Sequence, residues 1–114
     1  MKKMKRYYNS DENDLVTVYE KKDLEEFAPF FNYANEAWYR EWVRLGRKEK
    51  GTCCVGTGIT IRYRGPRKRT WVDKTVIHSP PCQGNVSAYE CVGPAMEYLK
   101  ACRIEVEYYE GWMD

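Results

Sequence analysis

Cys82 stands in the run "SPPCQGNVSAY" (79–89), four residues after the only histidine, His78, and nine before Cys91. Thiol, imidazole and carboxylate are the parts of a nucleophilic triad, in which a base activates sulfur and a third group orients the base. Asp73 is the acid nearest His78 in sequence and the candidate for that third place. The same residues with Cys53 or Cys54 suggest a zinc set. Structural zinc, however, draws its ligands in pairs two to four residues apart, and only His78 and Cys82 are closely spaced. Adjacent Cys53 and Cys54 in a strand point to opposite faces, so at most one of them could join. We therefore assign no catalytic residue and no metal ligand, since free cysteine is most often a small buried hydrophobe.

Two enzyme comparisons bear on the same loop. Pro-Pro-Cys-Gln-Gly resembles the catalytic loop of the cytosine-C5 DNA methyltransferases, where a Cys after Pro attacks a flipped base. That chemistry also needs a Gly-rich turn for S-adenosylmethionine, and the chain lacks the length and the nucleotide-binding strand-helix array to supply it. A strand, "QG", a helix and a last strand resemble the coenzyme A loop of acetyltransferases, where basic and glycine residues surround a pyrophosphate. "CQGNVSAYE" has one glycine and no Arg or Lys. We expect no enzyme and no cofactor.

Binding chemistry is better represented. Gln83 and Asn85 carry both donors and acceptors, and Gly84 allows close approach of backbone. Arg62, Arg64, Arg67, Lys68 and Arg69, with Arg103, offer cationic forks that suit phosphate. Tyr63, Trp71, Tyr89, Tyr98 and Tyr108 are candidate stacking faces for a purine. Phosphate grip, aromatic face and amide edge-readers together make a nucleotide-binding set, and we name Arg62, Arg64, Arg69, Trp71, Gln83, Asn85 and Arg103 as ligand-binding candidates, converging around the 82–85 turn. The bland alternative is that the arginines protect a strand edge and the aromatics are core. A polymeric nucleic acid, gripped by "RYRGPRKR", is a less favoured ligand because the basic track is short and net charge is only +2.

These residues must be positioned by one domain, since 114 residues suffice for a single core and not for two. No apolar run approaches the length of a membrane span, and no export signal precedes the polar start. Five cysteines, an odd number, then imply reduced thiols and a cytoplasmic location. Residues 1–13 are polar and aperiodic and read as a flexible arm, leaving 14–114 as the domain. "DLVTVYE" (14–20) alternates like a strand. In the next segment Leu24, Phe27, Phe31, Asn35, Trp38, Trp42 and Leu45 mark one buried helix face, Asp23 and Glu26 have capping-box spacing, and Pro29 predicts a kink or a fresh start. Phe30, Tyr33, Ala37 and Tyr39 lie off that face, and so much exposed apolar surface predicts a homo-oligomer through this helix. "TCCVGTGITIRYR" (52–64) and "RTWVDKTVIH" (69–78) form a predicted hairpin around "GPRKR". A second helix follows in "SAYECVGPAMEYLKACR", regular from Pro94, and "IEVEYYE" closes as a strand. The fold class is α+β, an antiparallel sheet with two helices in β-α-β-β-α-β order, the ferredoxin-like arrangement.

"EWVRLGRKEKGTC", "VGTGI", "QGNVS" and the closing "YYEGWMD" together resemble the phage Thoeris anti-defence proteins of the first type. The resemblance spans about 14–114. It implies a sponge that holds cyclic ADP-ribose isomers, and in some members cyclic oligonucleotides, without cleaving them, and that assembles as homodimers and higher oligomers in the host cytoplasm. Asn85 and Arg103 are the nominees for its polar and cationic ligand contacts. Cys82 and Cys53-Cys54 are departures from the pattern. The alternatives are a viral-type inhibitor docking on a host protein, or a small nucleic-acid-binding protein using the basic hairpin 62–74.

Overall fold

A reciprocal cap between Glu20 and Asp23 starts the long helix α1, Lys21–Arg44. The Asp23 carboxylate accepts the Glu20 amide at 2.8 Å, satisfying a group that the first turn leaves without a partner. This cap lies three residues earlier than the predicted Asp23–Glu26 pair. Pro29 neither restarts nor ends the helix. It sits on the exposed side, so the carbonyl its ring leaves unpaired one turn back can turn to water. Phe27, Phe31, Ala34, Trp38 and Trp42 form the buried face. Asn35, expected on that face, is exposed, and Ala34 takes the inward position between Phe31 and Trp38.

The computed structural model describes residues 5–9, 14–52, 55–67, 69–82 and 84–112. Strands β1 (Lys5–Asn9) and β2 (Asp14–Val18) pair antiparallel. Residues 5–9 thus correct the expectation of a loose arm, because their backbone groups are taken up by β2. The main sheet holds β3 (Val55–Tyr63), β4 (Val72–His78) and β5 (Glu107–Trp112), antiparallel in the order β4-β3-β5. The β3–β4 hairpin is the predicted one. The second helix is two: α2 (Asn85–Glu90) and α3 (Gly93–Ala101). Cys91 and Val92 still donate back to Ser87 and Tyr89, but Pro94 has no N–H to donate to Glu90, so α2 ends there and α3 restarts with Pro94 in its first turn.

The class is α+β, with three helices rather than two. The ferredoxin-like interleaving is a correction: there the first strand would occupy the middle of the sheet, but β3 and β5 pair directly, Thr60 opposite Glu107, and leave no slot. Segment 14–18 pairs with β1 instead, and the chain bonds to the main sheet just after it, where Tyr19 makes a parallel bridge to Tyr63. Among the described residues no helix is long and apolar enough to cross a membrane.

One core lies between sheet and helices. Ile59, Ile61 and Ile77 from the sheet meet Trp38, Ala88, Cys91, Ala95, Leu99 and Ile104. Trp38 is its largest fully buried side chain, and its indole N–H donates to the Ala88 carbonyl at 3.0 Å, tying α1 to α2. Trp38→Phe removes that bond and part of the ring, and denaturant unfolding is expected to show a loss of about 2–3 kcal/mol. An unchanged midpoint would contradict the role given to Trp38.

Candidate functional site

Tyr19 fixes three chain segments at one point. Its amide donates to the Arg62 carbonyl at 2.8 Å and its carbonyl accepts the Arg64 amide at 2.9 Å, anchoring β2 to the end of β3. Its phenol oxygen accepts the Glu105 amide at 2.8 Å, anchoring the turn before β5. Only 1% of the residue is exposed. Around it opens a cleft of about 490 Å³ lined by Thr17, Tyr19, Arg62, Lys100, Arg103 and the run from Ile104 to Glu107, a volume within the usual range for small-molecule sites.

The electrostatics of this cleft are uneven. The Arg62 side chain is mostly buried, donates from Nη2 to Glu107 Oε1 at 2.6 Å, and lies over the Trp71 ring at 5.3 Å. An ion pair on one side and a ring quadrupole on the other hold its guanidinium in place. Lys100 and Arg103 are exposed and have no acidic partner among the described residues. Two cations without acidic partners on one cleft favour an anion there, against the carboxylates of Glu105 and Glu107 on the same lining.

Arg103 sits in the cleft by virtue of a strained helix end. Its amide donates to Lys100 and the next amide, of Ile104, to Leu99, the paired bonds of a Schellman cap. Such a cap places its turning residue in the left-handed region, where Arg103 has φ 61. Helix α1 closes with the same pair of bonds, but there Gly46 takes the turning position at φ 97. A side chain costs about 1 kcal/mol in that conformation. At the end of α3 the chain carries a guanidinium where glycine would be easier.

The 82–87 loop serves another purpose. The Lys50 carbonyl accepts the Val86 and Ser87 amides at 3.1 and 3.2 Å, and Ser87 Oγ accepts the Lys50 amide at 2.8 Å. Asn85 spends its side chain in the same place: Oδ1 accepts the Thr52 amide at 2.7 Å and Nδ2 donates to Glu110 at 2.6 Å. Gly84 packs so closely on this strap that a Cβ would collide with the Lys50 carbonyl. The Val86 and Ser87 amides of the first turn of α2, which a pyrophosphate loop would leave for its ligand, are thus already bonded.

The surroundings of Cys82 and Cys91 disfavour the thiolate. Burial pushes the Cys82 thiol up, and its sulfur faces the Gly84 carbonyl at 3.8 Å. Burial likewise pushes Cys91 up to about 11, with its sulfur 3.3 Å from the Ala88 carbonyl. Reactive cysteines show the opposite shift. Among the described residues no three His, Cys, Asp or Glu side chains gather where they could hold a metal ion. Cys53 and Cys54 lie outside the described residues.

Of the seven residues named from sequence, the structure brings Arg62 and Arg103 together on one cleft, with Trp71 behind Arg62. Arg64 pairs with Glu20 at 3.6 Å, and Arg69 is exposed on the hairpin tip. Asn85 lies elsewhere: Glu110, its partner, pairs with Thr57, whereas Glu107 pairs with Thr60 and contacts Arg62. Convergence around 82–85 is therefore replaced by convergence at the far end of β3. Gln83 lies outside the described residues. Of the other candidate stacking faces, Tyr63 lies under Lys74, Tyr98 against Tyr33, and Tyr89 and Tyr108 against each other. A second groove, about 540 Å³ beside Tyr89, Met96 and Tyr108, has Lys100 as its one cation and two acids, Glu90 and Glu97. Sequence reasoning missed Tyr19, Lys100 and Glu107. Lys100 lies in the last turn of α3 and Arg103 past its end, so their meeting depends on the left-handed turn at Arg103 and not on a helical spacing that sequence could show.

Comparison of the chain with protein-family models, curated proteins and solved structures finds no match.

Gly84→Ala is expected to lower stability by about 3 kcal/mol or more, because backbone has to move to admit the methyl group. Asn85→Ala, which leaves the Thr52 amide and Glu110 without their partner, is expected to lose about 1–2 kcal/mol. Both are read from urea midpoints, and wild-type stability in Gly84→Ala would refute the close packing of loop on strap.

Proposed function

We propose that this protein is a non-enzymatic binding protein that sequesters a small cyclic nucleotide signal, a cyclic ADP-ribose isomer or a cyclic oligonucleotide, in the manner of the phage anti-defence sponges it resembles. The observation that carries this reading is the pair of unpartnered cations, Lys100 and Arg103, on a cleft that also holds the clamped Arg62. Phosphates bridge Lys100 and Arg103, and Arg62 lines the wall with the indole of Trp71 behind it. The described lining presents cations and carboxylates. The proposed action is binding without turnover.

A thermal-shift screen followed by calorimetry tests it. Cyclic ADP-ribose isomers and cyclic di- and trinucleotides should raise the melting temperature, by the equivalent of about 4 kcal/mol for a ligand at a thousand times its dissociation constant. Heating should release the ligand intact. Arg103→Gly should separate stability from binding: relief of the left-handed backbone raises stability by about 1 kcal/mol, while loss of a charge-assisted contact weakens binding by about tenfold or more. Release of a cut product, or equal binding by Arg103→Gly, would count against the reading.

The sponge assembles through α1. Phe30, Tyr33, Tyr39 and Val43 remain exposed on that helix, Tyr33 at 52%, with its ring 4.3 Å from that of Tyr98. Light scattering is expected to give a mass above the 13.6 kDa of one chain, and Tyr33→Glu to return it to that value. A wild-type monomer at high concentration would remove this part of the proposal. Arg67 and Arg69, exposed on the hairpin tip with no acidic partner among the described residues, favour a nucleic-acid strand as the second reading. Its mark is affinity that falls steeply with salt.

A further inference from the structure

Two carboxylates line the same cleft as the three cations, and neither can serve a phosphate. Glu105 is used structurally: its Oε2 accepts the Thr17 amide at 3.2 Å and so holds β2 against the turn before β5. Glu107 is placed differently. Its Oε1 accepts from Arg62 at 2.6 Å, its side chain is half exposed, and its second oxygen has no partner among the described residues. An ionised carboxylate only accepts hydrogen bonds. It repels a phosphoryl oxygen and attracts a donor, and in a ligand whose phosphates are drawn to Lys100 and Arg103, the donor bonded nearest to phosphate is a sugar hydroxyl. Glu107 also neutralises Arg62, so the charge left for the ligand is that of Lys100 and Arg103, reduced by Glu105 in the same cleft. Reading for hydroxyls with a carboxylate discriminates, because a ligand that covers Glu107 without offering a donor removes its water and returns no hydrogen bond.

Resting on the reading of this cleft as a nucleotide site, we infer that Glu107 is a specificity-determining residue that accepts a ribose hydroxyl and selects a ligand with two phosphate charges and a free hydroxyl beside them. Lys100 and Arg103 supply the grip on phosphate, and Glu107 decides between ribose and deoxyribose.

Calorimetry with cyclic di-AMP and its 2′-deoxy counterpart tests this, on the wild-type protein and on Glu107→Gln and Glu107→Ala. The wild type is expected to bind the ribose form about tenfold more tightly, the value of one hydrogen bond to a charged group. In both variants that ratio should fall below about threefold, whatever happens to absolute affinity. The ratio is the readout because a merely structural role for Glu107, holding Arg62, weakens both ligands equally and leaves it unchanged. Binding of cyclic di-AMP with the tenfold preference intact in the variants overturns the inference and leaves the sponge reading standing. Failure of the wild-type protein to bind any of the cyclic di- and trinucleotides or cyclic ADP-ribose isomers overturns both.

Discussion

The cleft exists because Tyr19 is bonded on every side. Its backbone closes β2 onto β3 and its phenol oxygen holds the Glu105 amide, so Arg62, Arg103 and Glu107 come from three parts of the chain to one place. A tyrosine suits the position because its ring packs edge-on against Phe27 at 5.8 Å while its oxygen reaches the next segment. The short backbone bridge at Tyr19, in place of a full ladder between β2 and the main sheet, is also what leaves space for a cleft. A fully paired central strand would have filled it.

The chain spends its most conspicuous motif on architecture and takes strain at an inconspicuous one. Gln-Gly-Asn-Val-Ser looks like a ligand loop, yet Gly84, Asn85 and Ser87 bind the strap at 49–52 and hold it against α2. Arg103 carries no motif at all. It adopts the left-handed conformation that glycine takes at the end of α1, and a side chain kept where it is locally unfavourable is where function is expected to be found.

Much of the fold was legible because the signals were long and periodic. The aromatic stripe of α1 and the β3–β4 hairpin both stand where the pattern put them. Asn35 was misplaced because a polar residue at the right spacing cannot be told from its neighbour Ala34 until the helix is docked. The ferredoxin-like order failed because alternation identifies a strand without identifying its partner, and 14–18 found its partner in residues 5–9. Half of the site was legible by type: Arg62 and Arg103 as cations and Trp71 as a ring. Tyr19 and Glu107 were not, since their roles come from contacts across 86 and 45 positions of sequence.

The proposed ligand puts its anion between Lys100 and Arg103, beside the clamped Arg62, rather than at the 82–87 loop. A nuclear magnetic resonance titration of the labelled protein with cyclic di-AMP reads this most directly. The largest amide and side-chain shifts should fall on Tyr19, Arg62, Trp71 and the segment from Lys100 to Glu107, with Asn85 and Ser87 little changed. Shifts centred on 82–87, with the Lys100 to Glu107 segment unmoved, would contradict it.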